Sequence, residues 1–285
     1  MKGRDMGLVS GLRVIEECQS RGLVAGAFNT TNIETTMGIV QAIENTGVPT
    51  FIQVAPTNVT LSGYEYIYDM VHRRLEDVDV PVALHLDHGR TLDDVRGALA
   101  SGFTAIMMDA SGYSYEENVA LSAKARELCP AEYALEVEIG SIGGKEDDHG
   151  PERESMTHPD QVAGFVQATG CDMLAVSVGN VHGYAPSARL DMELLAQIQE
   201  LSTAPLVIHG GSGLPPEQLG QLSHYNVVKV NVASDLRNAM IKTFGEAYIA
   251  NPNEYSLIRV SRQAVTAITD VVERRIHMLN PSIDE

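Results

Sequence analysis

Short runs dense in apolar and β-branched residues recur eight times along the chain, at Leu23–Asn29, Pro49–Ala55, Val80–Asp87, Ala105–Ser111, Tyr133–Ser141, Met173–Asn180, Pro205–Gly211 and Val227–Ala233. Between most of them apolar residues return with helical spacing, as in Thr35–Asn45, Leu92–Ser101, Glu116–Leu128, Pro159–Thr169 and Leu190–Leu201. Strands that are apolar nearly throughout are covered on both faces, and helices between them are the crossovers of a parallel sheet. Most run starts lie 22 to 32 residues apart, the size of one strand–helix unit, with one longer interval after the fifth. Eight such units predict an α/β fold, a closed (β/α)8 (TIM) barrel. An open, doubly wound sheet is the alternative, but no Gly-x-Gly-x-x-Gly follows the first run to support it.

The segment Leu8–Arg21 reads as a helix closing the bottom of that barrel, and Tyr255–Leu279 as one or two helices outside it. No linker or low-complexity run interrupts the pattern, so residues 1–285 are expected to form one domain. The 140–158 stretch breaks the regularity. Gly140, Gly143, Gly144 and Gly150 surround Lys145-Glu146-Asp147-Asp148-His149, a polar loop too long for a bare connection and of the kind that serves as a lid.

Barrels of this type carry their chemistry where the strands end. The ends of the eight runs supply Asn29, Gln53, Asp87 with His88, Asp109, Glu136 with Glu138, Asn180 with His182, His209 with Gly210-Gly211-Ser212-Gly213, and Asn231 with Ser234. A random scatter would favour the helices and bottom loops equally. His88, His182 and His209 each adjoin a glycine and follow the third, sixth and seventh runs. Alone, each has an ordinary structural reading. Together on one rim they form a metal site, three imidazoles with an open fourth position, the arrangement of catalytic zinc and one that other divalent ions can also fill. His85 reads as a packed core residue or a support to the ligands. His72, His149, His158, His224 and His277 read as surface residues.

Gly210-Gly211-Ser212-Gly213, with Asn231–Ser234 opening into a helix at Asp235–Thr243, reads as an anion cradle built from backbone N–H groups and a helix N-terminus. Asp87, beside a ligand, is either an orienter of histidine or a general acid/base. Asp109, Glu136 and Glu138 are either buried partners of Lys229 and the histidines or a second cation site. Glu146 taken alone is a solvated loop residue. Lys229 is the one lysine inside a strand run, which raises a rival Schiff-base mechanism.

Composition sharpens this picture. The formal charge of −18 argues against nucleic acid or an anionic membrane as partner, so an anionic substrate would need local positive potential from a metal and from backbone N–H groups. No run approaches the roughly 18 apolar residues of a membrane span, and no apolar leader follows the N-terminal Met1–Met6. Three widely spaced cysteines, Cys18, Cys129 and Cys171, suit free thiols in a reducing compartment, so a cytoplasmic location is expected.

Five segments resemble the class II, metal-dependent ketose-bisphosphate aldolases, which include fructose- and tagatose-1,6-bisphosphate aldolases. They are Val82-Ala83-Leu84-His85-Leu86-Asp87-His88-Gly89, Leu135–Glu146, Gly179-Asn180-Val181-His182-Gly183, Ile208–Gly213 and Lys229–Ser234. The likeness runs from about Gly22 to Arg275. It implies a (β/α)8 barrel, zinc held by His88, His182 and His209, Asp87 as acid/base on the C4 hydroxyl, and Glu146 as proton exchanger at C3. It further implies that Gly183, Gly210, Ser212, Asn231 and Ser234 hold the dihydroxyacetone-phosphate end, with Asn29 and Asn231 near the enediolate. Asp109 and Glu138 match an alternative, buried metal site. A monovalent cation (Na+ or K+) near Gly183 and Gly210, and a homodimer or homotetramer, are also implied. Three departures fall on the phosphate side: Tyr184–Arg189 lacks a lysine common in the family, Val181 replaces a small polar residue, and Ser234 replaces threonine. Two further readings are a barrel hydrolase, which the lack of histidine in Leu23–Asn29 disfavours, and a non-catalytic barrel subunit, which the intact set of histidines and acids disfavours.

Overall fold

The computed structural model describes residues 7–144, 154–183, 185 and 187–283. Eight parallel strands close into a barrel: β1 Ala25–Asn29, β2 Thr50–Val54, β3 Val82–Gly89, β4 Ala105–Met108, β5 Ala134–Ile139, β6 Met173–Val176, β7 Leu206–Ile208 and β8 Val227–Val232. Each strand pairs with its sequence neighbours, and β8 closes on β1 through Ala25 opposite Lys229 and Ala27 opposite Asn231. The expected (β/α)8 barrel is therefore the fold, and the open sheet is excluded.

Side chains of a strand alternate between faces, and here both faces are dry. Val82, Leu84 and Leu86 of β3 join a large cluster with helix residues such as Val71 and Val95, while Ala83 joins a smaller cluster inside the barrel. The interior is graded. Near the strand starts it is filled by Ala25, Phe51, Ala83, Ala105, Ala134 and Met173, closed from below by Val14, Ile15 and Cys18 of the helix Gly11–Arg21. Toward the strand ends the inward positions turn polar, through Asn29, Gln53, His85, Asp87, Glu136, Glu138, His209, Lys229 and Asn231, all buried.

The helices between strands start where local chemistry satisfies their first N–H groups. The side chains of Asn32, Thr91 and Ser114 each accept from the backbone N–H three residues on, and their own N–H groups donate in return to the side chains of Thr35, Asp94 and Glu117. Two further helices, Pro56–Ser62 and Tyr64–Leu75, lie outside the helical stretches named from the sequence. The C-terminal stretch is one helix, Leu257–Leu279, which packs on Ile33–Thr46 and Ser234–Ala250. Its end is tied down by Asn280, whose side chain accepts from the Val24 N–H and donates to the Val24 carbonyl at the start of β1. A second, unexpected sheet pairs Gly143–Gly144 with Val181–His182 above the barrel. The rest of the expected lid, residues 145–153 with Glu146 and His149, lies outside the described residues.

Candidate metal centre

Strict alternation would send Asp87 and His88 to opposite faces of β3. The strand breaks register between Leu86 and Gly89, and His88 takes a positive φ of 49°. Such a bulge is a recognised way to re-aim a side chain, and left-handed backbone at a non-glycine residue is a strained conformation held by its surroundings. The result is an imidazole and a carboxylate, adjacent in sequence, both turned to the rim. A register shift between Val227 and Lys229 on β8 similarly places Val228 in the interior cluster and leaves Lys229 buried among interior polar groups.

The three predicted histidines meet. His209 Nδ1 lies 3.0 Å from His88 Nε2 and 3.5 Å from His182 Nε2, and the three rings stand edge-on to one another. Nitrogens on a tetrahedral zinc are about 3.3 Å apart for Zn–N bonds of 2.0–2.1 Å. The opposite nitrogens are occupied by carboxylates: His88 Nδ1 by Asp109 Oδ2 at 2.7 Å and His209 Nε2 by Glu136 Oε1 at 2.8 Å. A carboxylate accepts only, so these nitrogens carry the protons and turn lone pairs toward the common point. The donor set fits a divalent ion. Among the described residues no other histidine joins it.

The electrostatics agree. Burial pulls all three imidazoles down, and mutual repulsion adds to this at His182 and His209, which sit well below the usual histidine value. At His88 the charges of Asp87 and Asp109 overcome burial and lift it well above. Three crowded rings that can share a single positive charge would behave this way. Burial pushes Asp87 up, but His88, His209, Lys229 and the Asn29 amide outweigh it, and its carboxyl sits below the usual range.

Asp87 is held by amides. Asn29 donates to Oδ2 at 2.8 Å, Gln53 to Oδ2 at 3.2 Å and Asn231 to Oδ1 at 3.0 Å. Asn29 is thus packed against the acid, with Gln53 donating to its own oxygen at 2.8 Å. His85 is fully buried, edge-on to Phe51 and 3.4 Å from Glu136, within ion-pair range but without hydrogen-bond geometry. Asp109 and Glu138 also converge with His88 as a second possible ligand group. Burial and the charge of Asp109 raise Glu138 to about 8.

The residues expected to cradle an anion line a small cleft, partly open to solvent, formed by Gly183, Gly210, Ser212, Asn231, Ala233 and Ser234. Gly210 has φ +70°, and a β-carbon there would lie 2.2 Å from the Val181 carbonyl oxygen, so only glycine fits. Gly211, expected in the cradle, does not line it. It is buried under β8, where a β-carbon would meet Val230 Cγ1 at 2.6 Å. The helix Ser234–Ala250, longer than expected, begins at the cleft, and the Asp235 N–H donates to Ser212 Oγ at 3.3 Å.

Sequence reasoning missed Arg275. From the C-terminal helix its Nε pairs with Asp235 at 2.7 Å and its Nη2 donates to the Ser212 carbonyl at 2.8 Å, bracing the cradle. Nothing in the periodicity of that helix sets Arg275 apart from its exposed basic residues. The Schiff-base alternative finds no support in the geometry: Lys229 Nζ, fully buried, is engaged by Glu136 Oε2 at 2.8 Å and Asn231 Oδ1 at 2.6 Å.

Comparison with known proteins follows the same line. A family model described as fructose-bisphosphate aldolase class-II matches residues 9–282. A chain from Coccidioides immitis, provisionally described as a fructose-1,6-bisphosphate aldolase, is 28% identical with a TM-score of 0.85, over 98% of this chain and 97% of that one. The YdjI aldolase from Escherichia coli K12 is 26% identical with a TM-score of 0.82, over 95% and 97%. Fructose-bisphosphate aldolase from Campylobacter jejuni, at 22% identity and a TM-score of 0.79 over 96% of each chain, shares the fold.

Proposed function

The chain belongs to the class-II fructose-bisphosphate aldolase family, which is metal-dependent, and from that premise we propose that it reversibly splits a phosphorylated ketose of the fructose- or tagatose-1,6-bisphosphate type. The products are dihydroxyacetone phosphate and an aldehyde such as glyceraldehyde 3-phosphate. The observation that carries this reading is the convergence of His88 Nε2, His182 Nε2 and His209 Nδ1 next to Asp87.

His88, His182 and His209 hold a zinc ion in this reading, with Asp109 and Glu138 as an alternative position sharing His88. When bound, the ion supplies Lewis-acid stabilisation of the negative charge that develops on the three-carbon phosphate half. Asp87 is the general base for cleavage. It takes the C4 hydroxyl proton as the aldehyde carbonyl forms, and the C3–C4 electron pair passes to C3. Amide donors on both of its oxygens keep the carboxylate ionised and aimed. Glu146 returns a proton to C3. The phosphate of the dihydroxyacetone half lies in the cleft of Gly183, Gly210, Ser212, Asn231 and Ser234, where a helix N-terminus offsets the overall negative charge. Backbone oxygens near Gly183 and Gly210 hold a Na+ or K+ ion.

The same reading gives a cytoplasmic homodimer or homotetramer. Buried, unpaired cysteines support the reducing compartment, and exposed Ile241, Tyr248, Ile249, Leu257 and Ile258 on two packed helices support self-association. No helix among the described residues is long and apolar enough to cross a membrane.

The test is a panel of ketose mono- and bisphosphates offered to zinc-loaded protein. Cleavage is expected to disappear with a chelator, return with zinc, and survive borohydride added with substrate. Covalent trapping of substrate by borohydride would overturn the reading in favour of an amine nucleophile.

A further inference from the structure

A side-chain amide has one accepting and one donating end, and which end faces a catalytic carboxylate matters. Asn231 must turn Nδ2 toward Asp87 Oδ1, because its oxygen there would oppose like charge. What fixes that choice is behind it. Lys229 Nζ donates to Asn231 Oδ1 at 2.6 Å, so the donating end is left for Asp87 at 3.0 Å. The second arm of Lys229 reaches Glu136 Oε2 at 2.8 Å, and the other oxygen of Glu136 accepts from His209 Nε2 at 2.8 Å. One ammonium thus lies between the proposed base and a proposed ligand, in an unbroken chain from Asp87 through Asn231, Lys229 and Glu136 to His209.

Every member of that chain is buried, and Lys229 and Glu136 are fully so. A buried lysine is costly unless it is paired and hydrogen-bonded, and a merely structural charge pair would need Glu136 alone. The shorter of its two bonds goes instead to Asn231. On the other side of Asp87 the same device recurs with a neutral donor: Gln53 donates to Asn29 Oδ1 at 2.8 Å, leaving Asn29 Nδ2 for Asp87 Oδ2.

Resting on the proposed aldolase reading, we propose that Lys229 is a positioning residue for the reaction: it orients the Asn231 amide toward Asp87, with Glu136 as the counter-charge that keeps its ammonium in place. It acts through that amide and forms no bond to substrate.

The experiment compares zinc-loaded wild type, Lys229→Met, Asn231→Ala and the double variant. Lys229→Met is expected to lose about 10- to 100-fold in kcat, the usual cost of removing such a support, with KM changed less than about threefold. The double variant should be no slower than Asn231→Ala alone. Losses that multiply, or an unchanged kcat for Lys229→Met, would overturn the assignment. If Lys229→Met fails to fold because Glu136 is left buried without its counter-charge, the comparison is made in a Glu136→Gln background, where adding Lys229→Met should bring the same loss. A crystal structure of the lysine variant gives a readout independent of turnover: the Asn231 Nδ2–Asp87 Oδ1 contact should be lost, and its retention would contradict the proposal. Wild type that cleaves no ketose phosphate would end the aldolase reading, while the crystal structure would still decide the role of Lys229.

Discussion

A single residue, Asp87, separates the chemistry of this site from its scaffolding. It is fully buried and held by three amides, yet it lies 3.9 Å from His88 Nε2 and so faces the point where the imidazoles meet. Asp87→Ala should cut kcat by about 10²- to 10⁴-fold, the usual range for a general acid/base, while metal content stays at the wild-type level because His88, His182 and His209 are untouched. Ser212→Ala, in the phosphate cleft, should instead raise KM and leave kcat nearly constant. Steady-state kinetics with metal analysis checks both. Loss of metal from the Asp87 variant would make Asp87 a support for the histidines, the alternative that sequence left open. These roles could be narrowed from the sequence because Asp-His-Gly at a strand end is a compact signal. Gln53, by contrast, could be placed on the rim, but its place behind Asn29 could not be read, since it depends on the pairing of β1 with β2.

At the scale of elements, the eight strands were legible because each is a short run rich in apolar and β-branched residues, and the barrel follows from eight such runs at mostly unit-sized intervals. What could not be read were the breaks in alternation. The shifts at Leu86/Gly89 and Val227/Lys229 are what bring His88 to the rim and Lys229 to the interior, and nothing in either run's polarity marks them. The helices Pro56–Ser62 and Tyr64–Leu75 were overlooked although Ile67, Val71 and Leu75 of the second return at helical spacing, because Gly63 splits the connection between β2 and β3 into two pieces. Packing between helices carries its own prediction. Gly38 of Ile33–Thr46 meets the C-terminal helix so closely that a β-carbon would lie 2.6 Å from Ile268 Cγ2 and 3.0 Å from the Val265 carbonyl oxygen. Gly38→Val should therefore destabilise the fold by about 1–3 kcal/mol, the range for overpacking a tight contact, read as a lower urea midpoint. An unchanged midpoint would mean that the helices separate freely there.

For the whole molecule, the closed barrel explains why a strongly acidic chain can hold an anionic substrate. The acids of the rim, Asp87, Asp109, Glu136 and Glu138, are gathered around the imidazoles, whereas the cleft beside them is lined by Gly183, Gly210, Ser212, Asn231, Ala233 and Ser234 at the start of the helix Ser234–Ala250. Sequence and resemblance picked out the three histidines that meet and most of the residues that line the cleft, because the motifs sit at strand ends that the fold must gather. Arg275, which braces the cleft from the last helix, escaped because its partners are 40 and 63 residues away. In the proposed function three imidazoles, from β3, the end of β7 and the segment Val181–His182, hold one divalent ion beside Asp87. Anomalous scattering at the zinc edge, from crystals of zinc-loaded protein, addresses it most directly. A peak is expected about 2.0–2.1 Å from His88 Nε2, His182 Nε2 and His209 Nδ1. A peak elsewhere, with those three rings turned to other partners, would contradict it.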